Sequence, residues 1–121
     1  MLSSPTSSSI LTWTTVCPLT RILPNTGVCA LVAGQQVAIF RVGESDVYAI
    51  ANFDPFSQAF VLSRGIVGDR NGMPKVASPI YKQNFSLTTG QCLDDETVNV
   101  PVYAVRLVDG AVQIGAPNVA S

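Results

Sequence analysis

The chain has 121 residues, the length of one compact domain. Charged residues make up 12%, about half the roughly 25% usual in soluble domains, hydrophobic residues reach 47%, and histidine is absent. The missing imidazole excludes a Ser-His-Asp triad, a Cys-His nucleophile pair and any His-ligated zinc or non-haem iron site. Seven Lys+Arg against eight Asp+Glu give a net charge of −1. No basic cluster stands out, which argues against a surface that tracks nucleic-acid phosphates. So few charges imply a large buried core or an apolar face kept for a partner, since a domain this small buries only about 60–70% of its unfolded surface.

Met1-Leu2-Ser3-Ser4-Pro5-Thr6-Ser7-Ser8-Ser9 has neither the basic n-region nor the apolar h-region of a secretory signal, and reads as a disordered tail. The folded domain is expected over residues 10–116, with a flexible tail at 117–121. Leu11 to Val16, β-branched and aromatic, reads as a first strand ended by Pro18. Gly27 to Leu31 and Gln35 to Val42 flank Ala33-Gly34, a hairpin signal, and Gly43 to Asp46 turns the chain into Val47 to Ala51. Asn52 to Ser63 is less strand-like and suggests a short helical turn around Phe56 to Leu62. Gly65 to Gly68 and Met73 to Ala77 flank Asp69-Arg70-Asn71-Gly72, a second hairpin. After another loop, Ala77 to Gln83, Asn84 to Leu87 and Gly90 to Leu93 bracket a third turn at Thr88-Thr89-Gly90. Val102 to Val108 meets Ala111 to Ile114 across Asp109-Gly110, whose residues tolerate the positive φ of a two-residue hairpin. Turns every 8–12 residues or so predict an all-β sandwich or barrel of short antiparallel strands. The apolar stretches Val28 to Ala33 and Val37 to Phe40 fall far short of the ~20 residues that span a bilayer, so no membrane association and a cytoplasmic location are expected.

Chemistry-bearing motifs are scarce. Cys17, Cys29 and Cys92 form no C-x-x-C and read as small, partly buried hydrophobes. Ser78 and Lys82 miss the S-x-x-K spacing, and Pro79 between them opposes the helix that would align them. Asp94-Asp95-Glu96 reads as a solvated acidic turn, because a continuous run lacks the spaced ligands of a calcium loop. Gly65, Gly68, Gly72 and Gly90 are turn glycines, and none opens a helix as a phosphate loop would. Function on a β scaffold sits mostly in loops. Attention therefore falls on Asn52-Phe53-Asp54-Pro55-Phe56-Ser57 and on Ala77-Ser78-Pro79-Ile80-Tyr81-Lys82-Gln83.

These loops, with Thr89-Gly90-Gln91-Cys92-Leu93 after them, resemble the Rieske ferredoxin fold, which carries C-P-H in one loop and C-P-x-H in the next. Laid on this chain, the first Cys and His positions fall on Asp54 and Phe56, and the second pair on Ser78 and Tyr81. Pro55 and Pro79 stay in place. The resemblance implies a Rieske-like domain whose two cluster-binding loops lack their ligands. Asp54-Pro55-Phe56, Val61-Leu62-Ser63-Arg64-Gly65-Ile66-Val67-Gly68-Asp69, Val76-Ala77-Ser78-Pro79, Lys82-Gln83, Cys92-Leu93-Asp94-Asp95 and Trp13-Thr14 are similar to one branch, the small subunits of assimilatory NAD(P)H-dependent nitrite reductases. That resemblance spans about residues 11–115. It implies an accessory subunit that is not catalytic alone, binds no cofactor, and supports reduction of nitrite to ammonium by docking on a large subunit carrying FAD, sirohaem and an iron–sulfur cluster. Pro55, Phe56, Arg64, Pro79, Tyr81 and Lys82 are the expected docking residues. Phe56 and Tyr81 either plug the vacated pocket or form an apolar docking patch; Asp54 is expected to bond nearby amides as a turn residue; Arg64 or Lys82 would contact the large subunit or pair across the loops. The alternatives are a degenerate Rieske-type ferredoxin component, which would need a visible chromophore, and a stand-alone protein-binding module.

Overall fold

Gln35-Gln36-Val37-Ala38-Ile39-Phe40-Arg41-Val42 places apolar residues at consecutive positions, the pattern of a strand covered on both faces. In the computed structural model, which describes residues 11–117, Val37, Ala38, Ile39 and Phe40 are all fully buried. The strands in chain order are β1 (Leu11–Pro18), β2 (Thr26–Val32), β3 (Gln35–Val42), β4 (Asp46–Ala51), β5 (Phe53–Asp54), β6 (Ala59–Phe60), β7 (Ile66–Arg70), β8 (Met73–Ala77), β9 (Asn84–Ser86), β10 (Val102–Val108) and β11 (Ala111–Pro117). A curled antiparallel sheet runs β1-β11-β10-β4-β3-β2, beside a three-stranded sheet β7-β8-β9 and the small hairpin β5-β6.

Alternation along β3 and β4 divides the core in two. Val37, Ile39 and Ala49 point to one side and pack with Ile22, Val32, Val112, Ile114 and Ala116. Ala38, Phe40 and Ile50 point to the other and pack with Leu62, Val76, Phe85, Leu87, Cys92 and Val100. The second cluster joins the large sheet to the β7-β8-β9 sheet, and the two loops of interest lie at its edge. β4 and β10 pair only at Val102↔Ile50 and Tyr103↔Ala49. Where that register would continue lies a solvent-open groove of about 350 Å³ lined by residues including Asp46, Val47, Tyr48, Val105 and Leu107.

The hairpin signals resolve as local chemistry dictates. Ala33-Gly34, Asn71-Gly72 and Asp109-Gly110 all hold both turn residues at positive φ, the two-residue turn whose twist suits a hairpin. Arg70 belongs to β7, so the second turn is tighter than the four-residue Asp69–Gly72 expectation. The third expected hairpin survives as single bridges: Phe85 pairs Cys92, and Ser86 N–H donates to Gln91 O at 2.9 Å. The expected helical turn over Phe56 to Leu62 is displaced. Gln58 N–H bonds Asp54 O at 2.7 Å and closes one turn, Ala59–Phe60 returns as β6, and a 3₁₀ turn follows at Leu62–Arg64. Phe53 and Phe60, 5.1 Å apart between ring centroids, favour pairing over helix there. The expected N-terminal tail and residues 118–121 lie outside the described residues, and Pro117 ends β11.

Candidate functional site

The first loop leaves the core through Asn52, almost fully buried beneath β2 and β3. Its Nδ2 donates to Gln36 Oε1 at 3.1 Å, its Oδ1 accepts the Ser63 N–H at 2.7 Å, and its carbonyl accepts the Leu62 N–H at 3.1 Å. One side chain thus ties both ends of the 52–63 excursion to the sheet. An Asn before a turn is too common a signal for sequence reasoning to have singled it out.

Two residues on, Asp54 is fully buried. Its Oδ1 accepts the Phe56 N–H at 2.9 Å, and its Oδ2 accepts Ser57 Oγ at 2.9 Å. The Phe56 bond is the amide bond expected of a turn residue, and the Ser57 hydroxyl adds a side-chain donor from the same loop. Sequence reasoning missed the third bond: Ser78 Oγ, also fully buried, donates to the same Oδ2 across 24 positions of chain. Asp54 and Ser78, the two positions where the family's pattern has cysteine, therefore touch.

The second loop is built on Ser78. Its N–H donates to Gln83 O at 2.9 Å and its carbonyl accepts the Lys82 N–H at 3.1 Å, closing a tight excursion with Lys82 at φ 67°. Ile80 and Tyr81 are left at the tip, 45% and 60% exposed. The two former histidine positions have opposite fates. Phe56 is half-buried against the core cluster with its ring 6.1 Å from Phe85. Tyr81 stands in solvent beside Ile80, a residue the sequence reading passed over.

Pro55 and Pro79 are half-buried at the shoulders of the loops, while Arg64 and Lys82 are exposed. Among the described residues neither base makes an ion pair, so the cross-loop pair considered for them is not formed. Lys82 Nζ reaches only Pro79 O, at 3.5 Å.

These residues do not fit a [2Fe–2S] cluster. Both Asp54 oxygens are engaged in hydrogen bonds, Ser78 is a hard oxygen donor, the Phe56 ring offers no donor atom, and Tyr81 is exposed, with only a hard phenolic oxygen to offer. Among the described residues, no group of three or more His, Cys, Asp or Glu could hold a metal ion. Cys17, Cys29 and Cys92 are unbridged, and Cys29 is exposed rather than partly buried as expected. Desolvation pushes the Cys17 and Cys29 thiols up, against the thiolate a nucleophile needs.

The acidic turn is more organised than a solvated run. Asp94 Oδ2 accepts the Asn84 N–H at 2.8 Å and Asn84 Nδ2 at 2.9 Å, while Arg70 reaches Oδ1 at 3.4 Å. The Asn84 amides, and then the Arg70 charge, hold the Asp94 carboxyl below the usual range. Asp95 caps its own turn through Thr97.

Against known proteins, the Rieske-like [2Fe-2S] domain family matches residues 12–115. The nitrite reductase (NADH) small subunit of Salmonella typhimurium is 52% identical over 103 residues, 84% of this chain and 95% of that protein. A crystal structure of a Mycobacterium tuberculosis chain assigned to the NADH-dependent nitrite reductase small subunits superposes with a TM-score of 0.88. That match has 49% identity and covers 91% of this chain and 99% of the other. A nitrite reductase [NAD(P)H] large subunit of Klebsiella oxytoca is 40% identical over 103 residues, which are 85% of this chain but 11% of that protein. Among the described residues no helix is long and apolar enough to cross a membrane. With the fold, the loop pair and these likenesses in agreement, the chain belongs to the small-subunit family of the NAD(P)H nitrite reductases, within the Rieske-like domains.

Proposed function

We propose that this chain is the accessory small subunit of an NAD(P)H nitrite reductase, supporting the reduction of nitrite to ammonium by binding the catalytic large subunit. The observation that carries this reading is the Klebsiella oxytoca likeness: a domain resembling this chain is there one part of a much longer large subunit. A similar domain joined to a large subunit in one protein and separate here supports a role for this chain against the rest of the reductase.

The chain's own chemistry agrees with a binding role. Its site holds no nucleophile–base pair, and its former ligand positions carry a carboxyl, a hydroxyl and two aromatics. Electron transfer then belongs to the FAD, the iron–sulfur cluster and the sirohaem of the large subunit, and the complex works in the cytoplasm. The docking face is the loop pair. Ile80 and Tyr81 supply the apolar centre, Pro55 and Pro79 the shoulders, and Arg64 and Lys82 a basic rim, while Phe56 supports the face from beneath.

The test is binding and turnover with purified large subunit. Tyr81→Ala removes an exposed ring, so the subunit's own melting temperature should stay within a degree or two while its Kd for the large subunit rises at least about tenfold, the smallest effect of a central aromatic anchor. Unchanged binding and unchanged nitrite-dependent NAD(P)H oxidation would overturn the loop-pair docking face.

A further inference from the structure

Three observations converge on Asp54. It is fully buried, it has no basic partner among the described residues, and its two oxygens accept three hydrogen bonds: one from the backbone of its own loop, one from Ser57, and one from Ser78 in the other loop. Of these three donors only Ser78 belongs to the other loop, so it alone makes the carboxyl a link between the two. Ser78 is equally constrained. Its N–H and carbonyl close the 78–83 excursion, and its hydroxyl is committed to Asp54 while standing 3.4 Å from the Ile80 N–H. The tip that carries Ile80 and Tyr81 is therefore fixed at its base to the first loop by one side-chain hydrogen bond. Around it, the β-ladders end at Asp54 and at Ala77.

We propose that the Asp54–Ser78 hydrogen bond is a clasp that replaces a metal cluster as the link between the two loops, and that it positions the Ile80–Tyr81 tip for the large subunit. Asp54 and Ser78 are then positioning residues, which shape the docking face without touching the partner. The proposal rests on the loop pair being the docking face, and the experiment separates the two ideas.

Ser78→Ala, Asp54→Ala, the double variant, Ser57→Ala and Tyr81→Ala are each measured for amide exchange and for Kd with the large subunit, at a temperature where circular dichroism shows every variant folded. Ser78→Ala should speed exchange at the Phe56 and Lys82 amides about tenfold, the loss expected for one buried hydrogen bond, and weaken binding about tenfold. Asp54→Ala, which leaves nothing for the Ser78 hydroxyl to bond, should do the same at the Lys82 amide and serves alone if Ser78→Ala fails to fold. The double variant should be no worse at Lys82 than Asp54→Ala alone, because both substitutions remove the same link. Ser57→Ala removes a bond to the same oxygen but links nothing across the loops, and should leave both measurements near wild type. Wild-type exchange in Ser78→Ala, additive losses in the double variant, or an equal effect from Ser57→Ala would overturn the clasp. Faster exchange with unchanged Kd would overturn its positioning role. Wild-type binding by Tyr81→Ala would instead overturn the docking face and leave the clasp to be judged by exchange alone.

Discussion

At Gly90 the backbone holds φ 79°, and a Cβ placed there would overlap the Val100 carbonyl oxygen and approach Val102 Cγ1 at 3.2 Å. Two costs meet at one position, the left-handed conformation and the collision with a neighbouring chain segment whose Val100 N–H bonds Gly90 O at 2.8 Å. Gly90→Ala is expected to destabilise the fold by at least about 1–3 kcal/mol, read as a fall in the melting temperature. The residue type was legible as a turn glycine, but the overlap was not, because Val100 arrives from a different part of the chain. Phe56 and Tyr81 make the same point. Both are aromatics at corresponding loop positions, and nothing local says which turns inward. Phe85 decides it by standing under the first loop.

Among the elements, the β7–β8 hairpin and β9 are joined to the turn after them by Asp94. This carboxyl is held below its ordinary pKa chiefly by the Asn84 backbone N–H and side-chain amide. Its folded pKa lies below the unfolded value of about 3.9, so its contribution is complete above that pH and disappears as pH falls through the folded value. Thermal stability, or protection of the Asn84 amide, should therefore drop on acidification below about pH 4, and Asp94→Asn should flatten that step. A profile unchanged by the substitution would assign the acid sensitivity elsewhere. The hairpins themselves were readable, because Asn71-Gly72 and Asp109-Gly110 carry their turn geometry in two adjacent residues. The 52–63 segment was not, since its strand pairing depends on the Phe53–Phe60 contact and on Asn52 gripping Gln36 and Ser63.

For the whole molecule, the absence of histidine and the occupation of both cysteine positions by a bonded Asp54–Ser78 pair predict a subunit that folds without metal. Expressed with iron in excess, it should purify colourless, with no iron by elemental analysis and a melting temperature indifferent to chelators; a bound cluster would contradict the accessory role. The sequence by itself determined the strand-and-turn rhythm, the Rieske-like loop pattern and the loss of the four cluster ligands from it, because these depend on residue type and short spacing. Tertiary structure alone decided that β1 pairs with β11 from the far end of the chain, that β4 and β10 part after two residue pairs, and that Asp54 meets Ser78 while Tyr81 stays in solvent. Those outcomes depend on which distant side chains compete for the same buried space, and no local pattern of residues records that competition.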